Sequence, residues 1–277
     1  MNREQLLREI PTIMGVLNVT PDSFSDGGRY LDTNAAIEAG FAMSRAGAAI
    51  VDVGGESTRP GAQDVPAEEE LSRVLPVVEA LAKRGITVSI DTRKAAVADA
   101  ALKAGARIVN DVSGFRDPAM RRVAAEHDAS IIIMHMQGTP QTMQVNPHYE
   151  DVVSEVLEFL VEQAEQCMAA GIARERIWID PGIGFGKALD HNLTLLRHLP
   201  KFVATRYPVL LGASRKSFIA HLTGESDPTK RLPGSVAAAL WGARCGVKAL
   251  RVHDVEETLQ ALLIWQALDG GARLQPV

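Results

Sequence analysis

Eight short runs rich in β-branched and other apolar residues recur along the whole chain, with amphipathic helical segments between them. The runs are residues 12–19, 49–55, 87–92, 107–112, 130–136, 176–182, 208–214 and 249–254. Near-continuous apolar strands that alternate with helices indicate a parallel sheet covered by helices. Eight such repeats in one unit predict a single (β/α)8 TIM barrel.

Helical segments are predicted at 34–47, 66–85 and 152–171, and the last has apolar residues at a period of 3.6. Glycines that suit helix C-termini follow several helical patterns, at Gly47, Gly85, Gly105 and Gly171. A chain of 277 residues could hold two average domains, but no linker or shift in composition divides it. We therefore expect residues 1–277 to form one domain. An open doubly wound sheet is the alternative, although no G-x-G-x-x-G motif follows the first strand.

Composition excludes several classes of function. The net charge of −5 argues against non-specific binding to nucleic acid or to an anionic membrane. The first ten residues are charged and lack the apolar core of a secretory signal, and the apolar stretch 232–243 is too short to span a bilayer. Cys167 and Cys245 have no metal-like spacing and are expected to be buried thiols in helices. We expect a cytoplasmic protein.

Polar residues stand at the ends of nearly all the predicted strands. They are Asn18, Gly54 to Glu56, Asp91, Asn110 with Asp111, Met134 with His135, Asp180, Ser214 to Ser217, Arg251 and His253. In a barrel of this kind the active site lies at the C-terminal ends of the strands. Any one of these residues could be a helix cap or a satisfied structural side chain. Because almost every strand brings a polar group to the same face, we interpret the set as a functional pocket.

The chemistry of these residues divides into two zones. Asp91, Asn110 and Asp180 suit a flat heterocycle with hydrogen-bond donors on its edge. Lys216, Arg251 and His253, near strands seven and eight, suit a phosphate or pyrophosphate. Asn18 could hold an oxygen of that anion or a Mg²⁺ bound to it. Two long polar loops, residues 18–33 and 54–66, could close over the mouth as mobile lids, or could be plain connections.

Seven segments together resemble the dihydropteroate synthase family of folate biosynthesis. They are MGVLNVTPDSFSDGG (14–28), DVGGESTRPGA (52–62), SIDT (89–92), NDVSG (110–114), IDPGIGFGK (179–187), GASRKSF (212–218) and RVHD (251–254). The resemblance runs in order through the whole barrel. It implies condensation of 6-hydroxymethyl-7,8-dihydropterin pyrophosphate with 4-aminobenzoate, which gives 7,8-dihydropteroate and pyrophosphate. It also implies assistance by Mg²⁺, a homodimer and inhibition by sulfonamides.

The resemblance also implies a role for each matching residue. The pterin pocket would comprise Asp91, Asn110, Met134, Asp180, Phe185, Gly212 and Lys216. The pyrophosphate site would comprise Asn18, Arg251 and His253. The aminobenzoate site would comprise Phe24, Thr58, Arg59, Pro60, Lys216 and Ser217.

The resemblance suggests an SN1-like route in which pyrophosphate leaves before the amine attacks. Asp26, Asp91, Lys216 and Arg251 are then the expected catalytic residues, with Asp26 approaching the cationic pterin from the first loop. Two alternatives remain at this stage: a pterin-binding barrel of the methyltransferase type, and a catalytically inactive pterin-binding paralogue. The first should lack the two loop motifs and the Lys216/Arg251 pair, and the second should have lost loop carboxylates or Lys216. All of these are present.

Overall fold

The chain folds around eight parallel strands that form a nearly closed barrel. The strands are β1 (Thr12–Asn18), β2 (Ile50–Gly54), β3 (Thr87–Asp91), β4 (Ile108–Asp111), β5 (Ser130–Met134), β6 (Ile177–Asp180), β7 (Leu210–Leu211) and β8 (Ala249–Val252). Their order in the sheet is β6-β5-β4-β3-β2-β1-β8-β7, and a parallel bridge between Ile179 and Val209 joins the two ends. The predicted (β/α)8 barrel is confirmed and the open doubly wound sheet is wrong. This computed structural model describes residues 3–20, 29–58 and 61–269, without the side chains of 29–32.

Helices follow the strands in sequence and cover the outside of the barrel. They are α1 (Arg3–Glu9), α2 (Arg29–Ala46), α3 (Ala67–Lys83), α4 (Ala95–Lys103), α5 (Pro118–Glu126), α6 (Val152–Ala169), α7 (Leu189–Arg197), α8 (Leu199–Val203), α9 (Ser217–Thr223), α10 (Leu232–Cys245) and α11 (Val255–Asp269). The four glycines predicted at helix ends all have positive φ, a conformation that favours glycine.

The first predicted loop is shorter than expected. Helix α2 begins at Arg29, so residues 29–33 are helical and do not belong to the polar loop that was predicted to reach residue 33. No glycine or proline interrupts the chain between residues 29 and 39, so nothing prevents the helix from beginning directly after Gly28. The second predicted loop has its expected length, because β2 ends at Gly54 and α3 begins at Ala67.

Alternation along each strand separates two faces of the barrel wall. Val51, Val53 and Ile90 face outward and pack with the helices in the main core. Alternate residues of the strands face inward. There Met14, Ile132, Leu210 and Ala249 form a separate apolar cluster with Ile50, Ile108 and Trp178. This cluster fills the lower part of the barrel. The polar residues further along the same strands therefore lie above an apolar floor.

The structure tests the predictions about a membrane-spanning segment and about the two cysteines. No described helix combines the length and apolarity needed to cross a membrane. Both cysteines lie in helices and neither forms a disulfide. Cys167 is buried as predicted, whereas Cys245 is only half-buried, because it is the last residue of α10.

The outward-facing core predicts a large cost for truncation of a strand residue. Ile131 of β5 is fully buried against the helices, so Ile131→Ala should lower the free energy of unfolding by about 2–5 kcal/mol through lost burial and a residual cavity. Chemical denaturation measures this change. Val145→Ala, at a residue that is 76% exposed, is the control and should change stability by less than about 0.5 kcal/mol. Equal effects of the two substitutions would contradict this assignment of the core.

Candidate active site

The strand register brings the predicted polar residues to the inner wall of the barrel. Asn18 pairs with Gly54, Gly54 with Asp91, and Asp91 with Asn110. Met134 of β5 pairs with Asp180 of β6 in the same way. All of these positions share the inward face of their strands with the apolar floor. The strand ends therefore place a largely polar ring above that floor.

The centre of this ring is a buried ion pair between one arginine and two carboxylates. Arg251 Nε donates to Asp52 Oδ2 at 2.6 Å, and Arg251 Nη2 donates to Asp91 Oδ2 at 2.7 Å. Asn110 Nδ2 donates to the same oxygen of Asp52 at 3.1 Å. Four strands, β2, β3, β4 and β8, thus contribute to one network. The expected acceptor zone and cation zone are in direct contact through Arg251.

Asp52 was not among the residues predicted from the sequence. It lies inside the apolar run 49–55 rather than at its end, so the pattern of polar residues at strand ends does not include it. The signal was nevertheless present: a carboxylate in the middle of an apolar strand is costly to bury unless it has partners. Asp52 has no exposed surface, and its two donors are both candidate site residues.

The two predicted pterin carboxylates lie in strongly desolvating surroundings. Burial raises the pKa of Asp91 to about 7, although the attraction of Arg251 acts in the opposite direction. Burial also raises the pKa of Asp180, whose Oδ1 accepts a hydrogen bond from the Gly182 amide at 2.8 Å. Asp91 Oδ1 is buried without a hydrogen-bond partner among the described residues. This oxygen can accept a hydrogen bond from a bound ligand.

Lys216 approaches the ring from the start of α9. Its Nζ donates to the Ile183 carbonyl at 2.7 Å and lies 3.9 Å from the centre of the Phe185 ring. Burial lowers the pKa of Lys216 to about 7, against the attraction of Asp180. Phe185 in turn packs against a buried cluster that contains Met134. The predicted residues Met134, Phe185 and Lys216 therefore lie together on one side of the ring.

The glycine predicted at this site borders two of its charged residues. A Cβ added to Gly212 would lie 3.6 Å from Asp180 Oδ2 and 3.9 Å from Arg251 Cβ. Gly212 therefore brings the backbone after β7 close to both side chains without filling the space between them.

His253 lies next to Arg251 and is expected to be neutral. Burial and the positive charge of Arg251 lower the pKa of His253 to about 3. Its Nδ1 lies 3.0 Å from Ser214 Oγ, which also accepts a hydrogen bond from the His253 amide at 3.2 Å. A neutral imidazole can offer one N–H donor to an anion.

Two polar strand-end residues turn away from the ring, because successive side chains of a strand face opposite sides. Asp111 accepts hydrogen bonds from the amides of Ser113 and Phe115, and so caps its own loop. His135 lies 2.9 Å from Lys187 Nζ, and that lysine also donates to the carbonyls of His135 and Phe185. Both residues support loops and neither faces the pocket.

The base of the second long loop is held by a separate ionic network. Glu56 accepts from Lys94 Nζ at 2.8 Å, from Arg93 Nη2 at 3.0 Å and from the Val65 amide at 3.0 Å. Glu70 of α3, fully buried, accepts from the same lysine at 2.6 Å. The network ties both ends of this loop to the residues that follow β3.

The residues predicted for 4-aminobenzoate are only partly described. Thr58 is half-buried on the second loop and Ser217 is exposed at the start of α9, whereas Phe24, Asp26, Arg59 and Pro60 lie outside the described residues. Asn18 is half-buried at the end of β1. Within the described ranges no group of three or more His, Cys, Asp or Glu side chains is arranged to hold a metal ion.

Comparisons with known proteins agree with this geometry. The family model described as pterin binding enzyme matches residues 14–253. Curated relatives named dihydropteroate synthase include one from Neisseria meningitidis serogroup C, 50% identical over 93% of each chain. Another, from Escherichia coli K12, is 48% identical over 93% of this chain and 91% of its own.

Solved structures give the same result. A Yersinia pestis dihydropteroate synthase with a sulfonamide drug complex is 45% identical, with a TM-score of 0.89 over 96% of each chain. A Xanthomonas albilineans dihydropteroate synthase with 4-aminobenzoic acid is 46% identical, with a TM-score of 0.89 over 97% of this chain and 95% of its own. The Xanthomonas structure with 7,8-dihydropteroate is 44% identical, with a TM-score of 0.86 and the same coverage.

The lowered pKa of Lys216 predicts a specific pH dependence of stability. Between a folded pKa of about 7 and the higher pKa of the unfolded chain, the unfolded state binds more protons, so Lys216 makes stability rise with pH in this window. Below about pH 7 the full cost of the buried ammonium is present. Urea unfolding from pH 7 to 9 should therefore show a smaller rise with pH in Lys216→Met than in the wild type.

A matched control separates this effect from the general loss of a lysine. Lys201→Met, at an exposed lysine of α8, should retain the slope of the wild type. If Lys216→Met and the wild type have equal slopes, the burial of the Lys216 ammonium is not responsible for the pH dependence.

Proposed function

This chain belongs to the pterin-binding enzymes and, among them, to the dihydropteroate synthase family, and we propose that it makes 7,8-dihydropteroate from 6-hydroxymethyl-7,8-dihydropterin pyrophosphate and 4-aminobenzoate. The reaction breaks the bond between the pterin methylene and the pyrophosphate oxygen, and forms a bond between that methylene and the amine nitrogen. The amine loses one proton and pyrophosphate is released. The enzyme is a transferase of folate biosynthesis.

The observation that carries this proposal is the polar ring at the strand ends, where acceptors and cations meet above an apolar floor. Asp91 Oδ1 is a buried acceptor with no hydrogen-bond partner in the described part of the chain, and it suits an N–H donor on the pterin edge. Asp180 and Asn110 supply further polar groups on the same face, and Met134 and Phe185 supply apolar surface. Such a combination suits a flat heterocycle with several donors and acceptors on its rim.

Departure of pyrophosphate requires that its developing charge be stabilised. Arg251 Nη1 makes no hydrogen bond to a described residue and can donate to the leaving oxygens. A neutral His253 can donate through one ring N–H, and the amide of Asn18 can donate from β1. Stabilisation of the leaving group in this way favours an SN1-like route.

Cationic character left on the pterin would be favoured by nearby carboxylates. Asp91 has a pKa of about 7, so a cationic ligand would shift it toward the ionised form. Asp180 lies on the same ring, beside Met134. Asp26, which lies outside the described residues, is proposed for the exposed side of the pterin.

The amine would attack from the rim of the pocket. Thr58, Lys216 and Ser217 lie on the two elements that border the mouth, the second loop and the start of α9. Phe24, Arg59 and Pro60 complete the proposed aminobenzoate site from outside the described residues. Correct placement of two substrates can contribute several kcal/mol to the lowering of the barrier.

Mg²⁺ is proposed as an assisting ion. The described residues offer no carboxylate cage for it, which fits the preference of Mg²⁺ for phosphate oxygens and water with few protein ligands. Asn18 is the proposed protein ligand, through its side-chain oxygen. When bound, Mg²⁺ would neutralise part of the pyrophosphate charge.

A homodimer, a cytoplasmic location and inhibition by sulfonamides are proposed together. Trp241 on α10 is 40% exposed and Leu222 on α9 is 58% exposed, which supports residues 235–247 as part of a surface between two subunits. The match to a relative crystallised with a sulfonamide drug complex supports the proposal about inhibition.

The decisive experiment mixes the dihydropterin pyrophosphate, 4-aminobenzoate and Mg²⁺ with the protein. We expect release of pyrophosphate that depends on aminobenzoate, together with an equal amount of dihydropteroate. Chelation of Mg²⁺ should lower the turnover rate. It should also weaken the binding of pyrophosphate, which calorimetry measures. Absence of dihydropteroate from the wild-type reaction would overturn the proposed function.

A further inference from the structure

Asp52 is a fully buried carboxylate that accepts hydrogen bonds from two donors among the described residues. It lies in the middle of β2, one inward position below Gly54, and has no exposed surface. Its Oδ2 accepts from Arg251 Nε at 2.6 Å and from Asn110 Nδ2 at 3.1 Å, whereas its Oδ1 is buried without a partner among the described residues. A buried carboxylate is costly, so its partners define what it does.

The partners of Asp52 leave one part of the guanidinium of Arg251 unused. Asp52 holds Nε and Asp91 holds Nη2, while Nη1 makes no hydrogen bond within the described ranges. The side chain of Arg251 is 20% exposed, so it is reached from the pocket although its carboxylate partners are buried. Two carboxylates thus fix the rotation of the planar group and leave donors for an anion.

The two carboxylates that hold Arg251 are not equivalent. Asp91 has an unpaired oxygen and lies at the end of β3, where the proposed pterin site begins. Asp52 lies one inward position deeper, and its hydrogen-bond partners among the described residues are the arginine and the asparagine. These two contacts of Asp52 therefore lie below the proposed pterin site.

We propose that Asp52 is a positioning residue that fixes Arg251 for the pyrophosphate group and Asn110 for the pterin. The inference rests on the proposed function and adds to it a residue that the strand-end pattern and the family motifs did not assign. Buried ion pairs contribute little net stability, because desolvation offsets their attraction. Orientation of the ligand-binding groups is therefore the main effect of Asp52.

A double-mutant cycle in the affinity for pyrophosphate tests the inference. Calorimetry with Mg²⁺ and pyrophosphate compares the wild type, Asp52→Asn, Arg251→Met and the double variant. Because the contact is charge-assisted and buried, each single substitution should weaken binding by about tenfold or more. The double variant should bind no more weakly than Arg251→Met alone, since Asp52 acts through the arginine. Unchanged affinity in Asp52→Asn, or losses that multiply in the double variant, would overturn the inference.

Stability provides a second readout of the same cycle. Arg251→Met leaves two buried carboxylates without their cation, so its Tm should fall. Addition of Asp52→Asn removes one of these charges and should restore part of the lost Tm. A further fall in the double variant would show that Asp52 stabilises the fold independently of Arg251, and would contradict its role as a positioning residue.

Asp111→Asn is the matched control. Asp111, the last residue of β4, is also fully buried. Its side chain faces away from the barrel interior and caps its own loop by accepting hydrogen bonds from the amides of Ser113 and Phe115. This variant should lose Tm and keep its affinity for pyrophosphate. If Asp111→Asn weakens pyrophosphate binding as much as Asp52→Asn does, the effect of Asp52 is only structural and the inference fails.

The results of these experiments also distinguish a failure of this inference from a failure of the proposed function. A wild-type protein that neither binds pyrophosphate nor forms dihydropteroate overturns the proposed function, and the inference with it. An active wild type with a fully functional Asp52→Asn variant overturns the inference alone.

Discussion

The ion pair between Arg251 and the carboxylates of Asp52 and Asp91 is the interaction on which the site depends. It joins β8 to β2 and β3 across the interior of the barrel, and Asn110 extends it to β4. Burying any one of these charges alone would cost free energy, so the barrel interior tolerates them only because they are paired with each other. The strand register staggers Arg251, Asp52 and Asp91 along the inner wall, and their charges then hold each other in a defined orientation.

Burial of charge also adjusts the chemistry of the pocket. Desolvation brings the pKa of Asp91 and that of Lys216 to about 7, from opposite directions. Both groups can therefore change protonation near neutral pH when a charged ligand arrives. The ring of Phe185 lies beneath the Lys216 nitrogen, and Lys187 holds the carbonyl of the same phenylalanine. The loop after β6 therefore contacts the side-chain nitrogen of Lys216 through the ring of Phe185.

The sequence was sufficient for the barrel and for most of the polar ring. Alternating strands and helices predicted the architecture, because near-continuous apolar runs and helical segments with a period of 3.6 are both visible in the residues. It was not sufficient for Asp52, which is hidden inside an apolar run, nor for the contact of Arg251 with two carboxylates from distant strands. His135 and Asp111 were grouped with their inward neighbours because the ends of short strands are difficult to locate from sequence. The observed strands are shorter than the predicted runs, and β7 has only two residues.

The apolar cluster of Met14, Ile132, Leu210 and Ala249 determines how ligands gain access to the site. It fills the barrel below the polar ring, so the site is a well that opens toward the C-terminal ends of the strands. A molecule seated against Asp180 and Asn110 lies deeper in that well than one seated beside the exposed Ser217. A ligand therefore enters from the C-terminal ends of the strands. The packing of apolar side chains at the opposite end of the barrel determines this direction of access.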